Sequence, residues 1–139
     1  MRMSHTCRAI VVHCMDFRFA KGLAQYVADQ GLAGDADIVG WAGAGKAFLD
    51  PASQDFALQQ VELSHKLHGM TEVHVINHID CGAYGGSKTL GAYDQEHAFQ
   101  VEELQKVKVV LAERFPHLTF VAYLARLAEA GVSVEKVNL

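Results

Sequence analysis

Residues 9–18, Ala-Ile-Val-Val-His-Cys-Met-Asp-Phe-Arg, join a strand signal to a cluster of reactive side chains. The run at 9–13 is short, apolar and β-branched, the pattern of a strand buried on both faces in a parallel sheet. Cys14, Asp16 and Arg18 follow at i, i+2 and i+4. While the backbone stays extended they project to one side, placing a thiol, a carboxylate and a guanidinium together. Residues 73–82, Val-His-Val-Ile-Asn-His-Ile-Asp-Cys-Gly, repeat the arrangement: a strand at 73–77, then a loop carrying His78 and Cys81.

Outward from these two segments the period changes. Phe19, Leu23, Tyr26 and Val27 recur at helical spacing up to Gly31, a residue suited to a left-handed C-cap. A second strand is expected at 37–41, followed by a loop rich in Gly and Ala. Asp50-Pro51 reads as an N-cap with proline at the first helical position, opening a helix to His68 that stops at Gly69. The spacing of Phe99, Leu104, Val107 and Leu111 predicts a helix over 95–114 that Pro116 closes, with a fourth strand at 118–124. Residues 132–137 are expected to add a short edge strand. Strands and helices in alternation predict a single α/β domain over 1–139, a parallel sheet of four strands in the order 2-1-3-4 plus that fifth, with helices on both faces. In this order the winding reverses between strands one and three, and ligands bind at such a reversal, outside the carboxyl ends of the strands.

Cys14, His78 and Cys81 are therefore expected to meet. Two thiolates and an imidazole suit zinc, and three protein ligands with a fourth position left for water is the catalytic arrangement. Taken singly, each residue has a plainer reading: core thiols, a hydrogen-bonded interior histidine, an Asp16–Arg18 ion pair. Their convergence at the switch point favours the metal. Cys7 lies roughly 23 Å of extended strand from Cys14 and reads as a small buried hydrophobe. His65 and His68 at i, i+3 on a helix have the spacing to bind metal but read better as an exposed polar face. His13 reads as facing the other side of the sheet, and Asp80, between two candidate ligands, reads as a solvated loop carboxylate ahead of a support for the metal ligands. His97 and Tyr84 are the candidates for a proton relay. Gly40-Trp-Ala-Gly-Ala-Gly-Lys46 matches part of a phosphate-binding loop, but Ala47 stands where Ser or Thr would hold magnesium, so close backbone approach is the better account of these glycines.

Composition narrows the classes. A 50% hydrophobic content fills one core, and a net charge of −4 without a basic stripe argues against nucleic acid. No apolar run is long enough to span a bilayer, and residues 1–8 lack a signal-peptide pattern, so no membrane partner and a cytoplasmic location are expected. Three cysteines, an odd number, favour reduced thiols over a disulfide framework.

Cys14-Met-Asp16-Phe-Arg18 followed by His78-Ile-Asp-Cys81-Gly82 resembles the β-class carbonic anhydrases, whose hallmarks are C-x-D-x-R and, later, H-x-x-C. The resemblance extends over residues 8–86, including Ala42-Gly43 after the second strand. It implies that Cys14, His78 and Cys81 hold Zn2+, that Asp16 and Arg18 form a dyad beside it, and that the protein hydrates carbon dioxide reversibly to bicarbonate with hydroxide generated at the zinc. Two thiolates formally cancel the charge of zinc, so the working pH is expected on the alkaline side. Asp16 orients the hydroxide or, in some members, binds zinc itself. Both states stay open, as do carbonyl sulfide or carbon disulfide as substrate and a non-catalytic zinc-binding regulatory domain. The resemblance also implies a homodimer or higher homo-oligomer. Two departures stand out: Gly40-Trp41 occupies the place of the family's Arg-Asn, and the N-terminal helical arm that wraps a partner subunit is not expected here.

Overall fold

In the computed structural model, which describes residues 5–139, the sheet has five strands: β1 (Ala9–Cys14), β2 (Ala36–Trp41), β3 (Glu72–His78), β4 (Thr119–Ala128) and β5 (Gly131–Val137). Residues 1–4, half of the segment examined for a signal pattern, lie outside the described residues. The strand order is β2-β1-β3-β4-β5, with the first four parallel. β5 is antiparallel to β4, because residues 129–130 are too short a connection for a crossover. β4 runs to Ala128 rather than 124, and its exposed end is held by pairing with β5, Arg126 opposite Ser133. Five of the six β1 residues are buried, as a strand covered on both faces requires.

Helix α1 (Ala20–Asp29) covers one face; α2 (Gln54–His68) and the long α4 (Tyr93–Arg114) cover the other, and a single turn, α3 (Ser87–Leu90), precedes α4. Ile10, Val12 and Val75 pack with Ala57, Val61, Leu104 and Val107 on the α2/α4 side. Ala9, Val11 and Ile76 pack with Leu23, Phe19 and Tyr123 on the α1 side. Period-2 alternation along each strand divides the core in this way. Burial of a leucine-sized side chain contributes about 2 kcal/mol, so these two clusters provide most of the fold's driving force.

Helix α2 starts three residues later than the proline suggests. Asp50 accepts a bond from the backbone of Ala52 at 3.2 Å and pairs with Lys46 at 3.1 Å, so it caps a turn ahead of the helix instead. No helix of the described residues is long and apolar enough to cross a membrane.

Candidate metal centre

β1 and β3 are adjacent and parallel, so Cys14 and His78 end their strands at the same edge of the sheet. Cys81 follows in the next loop, and one donor atom each of Cys14, His78 and Cys81 lies within 4.8 Å of the other two. All three residues are buried. The two sulfurs are 4.0 Å apart. Two thiolates at about 2.3 Å from one tetrahedral zinc stand about 3.8 Å apart, so the pair needs almost no movement to share an ion.

His78 Nδ1 donates to the carbonyl of Ile79 at 2.8 Å, which leaves Nε2 as the nitrogen with the free lone pair. That Nε2 is buried without a hydrogen-bond partner. An orphaned buried nitrogen costs about 1–3 kcal/mol unless something binds it, and its ring is fixed by the backbone acceptor and by packing against Phe19 at 4.3 Å between centroids. The donor set fits zinc.

The sulfurs polarise each other. The Cys81 thiol, with His78 and the Gly43 N–H helping, holds Cys14 far below the usual thiol range against the opposing effect of burial. The charge on Cys14, together with burial, pushes Cys81 up. Burial disfavours the charged imidazole of His78, yet the neighbouring Cys14 sulfur holds its pKa above the ordinary value. The site thus gathers negative charge on sulfur in a dry pocket, which a divalent cation would neutralise.

Asp16 and Arg18 come together by a route other than strand alternation. The chain leaves the extended conformation after Asp16 and enters a 3-10 turn at Phe17–Phe19, which Asp16 caps by accepting the Arg18 N–H at 3.0 Å. The guanidinium then folds back onto the carboxylate, Nε to Oδ1 at 3.1 Å and a second nitrogen to Oδ2 at 2.6 Å. Arg18 thereby holds the Asp16 carboxyl down at about 2. Asp16 Oδ2 is 3.7 Å from His78 Nε2, beside the three-donor cluster but not part of it.

Asp80, read from the sequence as a solvated carboxylate, is part of this assembly. It takes a positive φ of 62°, unusual for a non-glycine residue. Its Oδ2 and its carbonyl both accept from Arg18 at 3.0 Å, and its Oδ1 accepts from the Ser87 N–H at 2.9 Å. Its own N–H donates to Glu96 Oε2 at 2.6 Å, and the other Glu96 oxygen accepts from the Ser87 hydroxyl at 2.6 Å. Glu96 is fully buried on α4 and was not singled out in the sequence.

The glycine loop closes the third side. Gly43 takes a left-handed φ of 81°, and its N–H points at Cys14 Sγ, 3.5 Å away. Gly45 N–H donates to Asn77 Oδ1 at 2.9 Å, and a Cβ on Gly45 would stand 2.9 Å from that same oxygen. The amides a phosphate loop would aim at a ligand are thus engaged by the protein, in accord with the close-approach reading. Of the weaker candidates, His97 pairs with Glu135 at 2.7 Å, and Tyr84 packs edge-on to Phe99. His65 and His68 bond separately, to Met70 O and to Asp37. His13 faces the α1 side with Val11 and Leu23.

The profile of a family described as "Putative carbonic anhydrase" matches residues 4–132. An uncharacterized protein of Rickettsia bellii (strain RML369-C) is 25% identical over 124 residues, covering 85% of this chain and 76% of its own length. A second uncharacterized protein, from Rickettsia conorii (strain ATCC VR-613 / Malish 7), is also 25% identical over 124 residues, covering 85% and 67% respectively. The fold is similar to that of a carbonic anhydrase from Glaciozyma antarctica, with a TM-score of 0.60 and 22% identity over 96% of this chain and 84% of that one. It is also similar to the β-carbonic anhydrase CafD of Aspergillus fumigatus, with a TM-score of 0.55 and 12% identity over 99% and 92%. At these identities the two solved structures speak for the fold.

Proposed function

We propose, from the premise that this chain belongs to the family described as "Putative carbonic anhydrase", that it is a zinc enzyme hydrating carbon dioxide reversibly to bicarbonate, a carbonate dehydratase. Cys14, His78 and Cys81 would hold the metal, and Asp16 with Arg18 would serve the reaction. The observation that carries this reading is the buried, unpartnered His78 Nε2 beside two sulfurs 4.0 Å apart, with the Asp16–Arg18 pair next to it. When bound, zinc supplies Lewis acidity and hydroxide from water at near-neutral pH.

The chain's own residues supply direction. Asp16 is ionised at any working pH, because its carboxyl is held at about 2. It acts as the acceptor that fixes the attacking hydroxyl's proton, and hence aims the oxygen lone pair at the carbon of the substrate. Arg18 grips Asp16 on one side and is gripped by Asp80 on the other, so the carboxylate cannot rotate freely. Phe17 and Met15 flank Asp16 and are 85% and 67% exposed. Two such apolar side chains beside a reaction site suit a covering subunit, and the proposed assembly is a homodimer or a higher homo-oligomer. Three free thiols suit the reducing cytoplasm.

The test is stopped-flow hydration of carbon dioxide with zinc content measured on the same sample. Near one zinc per catalytic cluster and hydration between about pH 7 and 9 support the reading. A Cys81→Ser variant that keeps all its zinc and its rate would sink it. Zinc without hydration moves the substrate to carbonyl sulfide or carbon disulfide, and inactivity on all three leaves a zinc-binding regulatory domain.

A further inference from the structure

At the opposite end of the sheet Cys7, Asp37 and His68 come together from three segments far apart in the sequence. They lie just before β1, at the second residue of β2 and at the last residue of α2. One donor atom of each lies within 4.8 Å of the other two, and all three are partly exposed. The backbone sets up the meeting: Cys7 N–H donates to the carbonyl of His68 at 3.0 Å, and Asp37 pairs in register with Ile10 of β1. Asp37 Oδ2 accepts from His68 Nδ1 at 2.7 Å and from the Ser64 hydroxyl at 2.6 Å, so the carboxylate is already aimed. The His5 ring meets that of His68 edge-on, 4.7 Å between centroids.

We propose that Cys7, Asp37 and His68 form a second divalent-metal site, suited to zinc and distinct from the Cys14 cluster, with His5 at hand as a fourth donor. The donor set decides the class of ion. A thiolate and a carboxylate carry two negative charges that match a dication, and thiolate with imidazole selects borderline metals such as zinc or cobalt over calcium and magnesium. Coordination sends the Cys7 proton to solvent and leaves His68 a neutral ligand.

A thiol beside a His–Asp pair also resembles a nucleophile with its base and orienting carboxylate. Burial first, then the charges of Asp37 and Asp35, push the Cys7 thiol above its ordinary range, the reverse of what a nucleophile needs. A bound dication would invert that balance. The role that follows is a staple joining the entry to β1, the start of β2 and the end of α2, where Cys7 is now held by its N–H bond to the His68 carbonyl and a weak bond from its thiol to the Ala9 carbonyl.

The experiment is zinc stoichiometry by elemental analysis after equilibrium dialysis. Wild type, Cys7→Ser, His68→Gln and His65→Gln are compared, each checked by circular dichroism. His65 sits on the same helix but bonds to Met70 O, so its variant controls for surface histidines. Cys7→Ser and His68→Gln should each hold one zinc fewer than wild type and His65→Gln the full number. The count is a difference, so it stands whatever the Cys14 cluster holds. Equal counts in wild type and the two site variants would show an Asp–His hydrogen bond beside an idle thiol, and would overturn the proposal. A second measurement needs no variant. Alkylation of Cys7 in wild type, read by peptide mass, should slow roughly 100-fold once zinc stands at a hundred times its dissociation constant. A rate that zinc does not change overturns the site equally.

Discussion

Removing the Arg18 side chain separates two ways in which it could serve Asp16, by charge or by aim. Its guanidinium meets the Asp16 carboxylate through contacts of 2.6, 3.1 and 3.2 Å and lowers the carboxyl from 3.8 to about 2. That lowering corresponds to about 2 kcal/mol, and to nearer 1 after screening, since the Arg18 side chain is 33% exposed. The folded-state value lies below the unfolded one. This contribution is therefore complete above about pH 4 and is lost as pH falls toward 2. In Arg18→Ala the Asp16 carboxyl should rise toward the ordinary range, held a little below it by the residue-18 N–H that still donates to Oδ1, and carbon-detected NMR titration of the side chain reads the rise directly. At pH 7 it is ionised in both proteins. Any loss of hydration at that pH must then come from lost orientation, of the order of 10²-fold for a preorganised group. The loss should be constant from about pH 6 to 9, with zinc retained. A variant whose rate recovers as pH rises across that window would show that Arg18 acts on ionisation and refute the aiming argument. An unchanged rate would reduce the pair to a structural ion bridge.

Three further outcomes follow from the same contacts. Asp80→Ala removes the carboxylate part of the second grip on Arg18, leaving the bond to the residue-80 carbonyl, and should lower hydration by about 10-fold while zinc content stays unchanged, a smaller effect than Arg18→Ala because the Asp16–Arg18 contact survives. Glu96→Ala leaves the Asp80 N–H and the Ser87 hydroxyl without their acceptors, at about 2–4 kcal/mol. Denaturant unfolding should show that loss and should show less of it in Glu96→Gln, which keeps an acceptor. Gly45→Ala places a methyl 2.9 Å from Asn77 Oδ1 and 3.1 Å from Val107, so stability should fall by about 1–3 kcal/mol. An unchanged midpoint would mean the loop yields easily.

The order of elements and the place where the reactive residues meet were both legible, and for one physical reason. Strands covered on both faces must be nearly continuous in apolar β-branched residues, so 9–13 and 73–77 stand out, and the residues after them fall at the switch point. The local geometry was less legible. Alternation puts Asp16 and Arg18 on one side only if the chain stays extended, yet the Asp16 cap bends it into a 3-10 turn at once. The pairing survives because a carboxylate two residues before a guanidinium can cap the turn and receive the side chain together. Helix α2 starts late for a similar reason: Asp50 has a local partner in Lys46 that the Asp-Pro signal does not reveal.

What holds the site is written on α4 in a form that hydrophobic periodicity conceals. Its buried stripe is Glu96, Gln100, Leu104, Val107 and Leu111, one continuous helical face. The apolar residues predict its second half, while the first half carries a carboxylate and an amide where the pattern would place leucine. Two polar residues at core positions break the local rule, and such breaks are expected where a functional site must be supported. Here Glu96 reaches the Asp80 N–H, and Gln100 accepts from Asn77 at 2.9 Å, whose oxygen in turn accepts from Gly45. Both lines of bonds lead from the same end of α4 to the loops around Cys14 and Cys81. Extending the buried face of a long helix back past its first leucine, and asking what a charged residue on it could bond, therefore leads to the supports of a site whose candidate metal donors are already apparent.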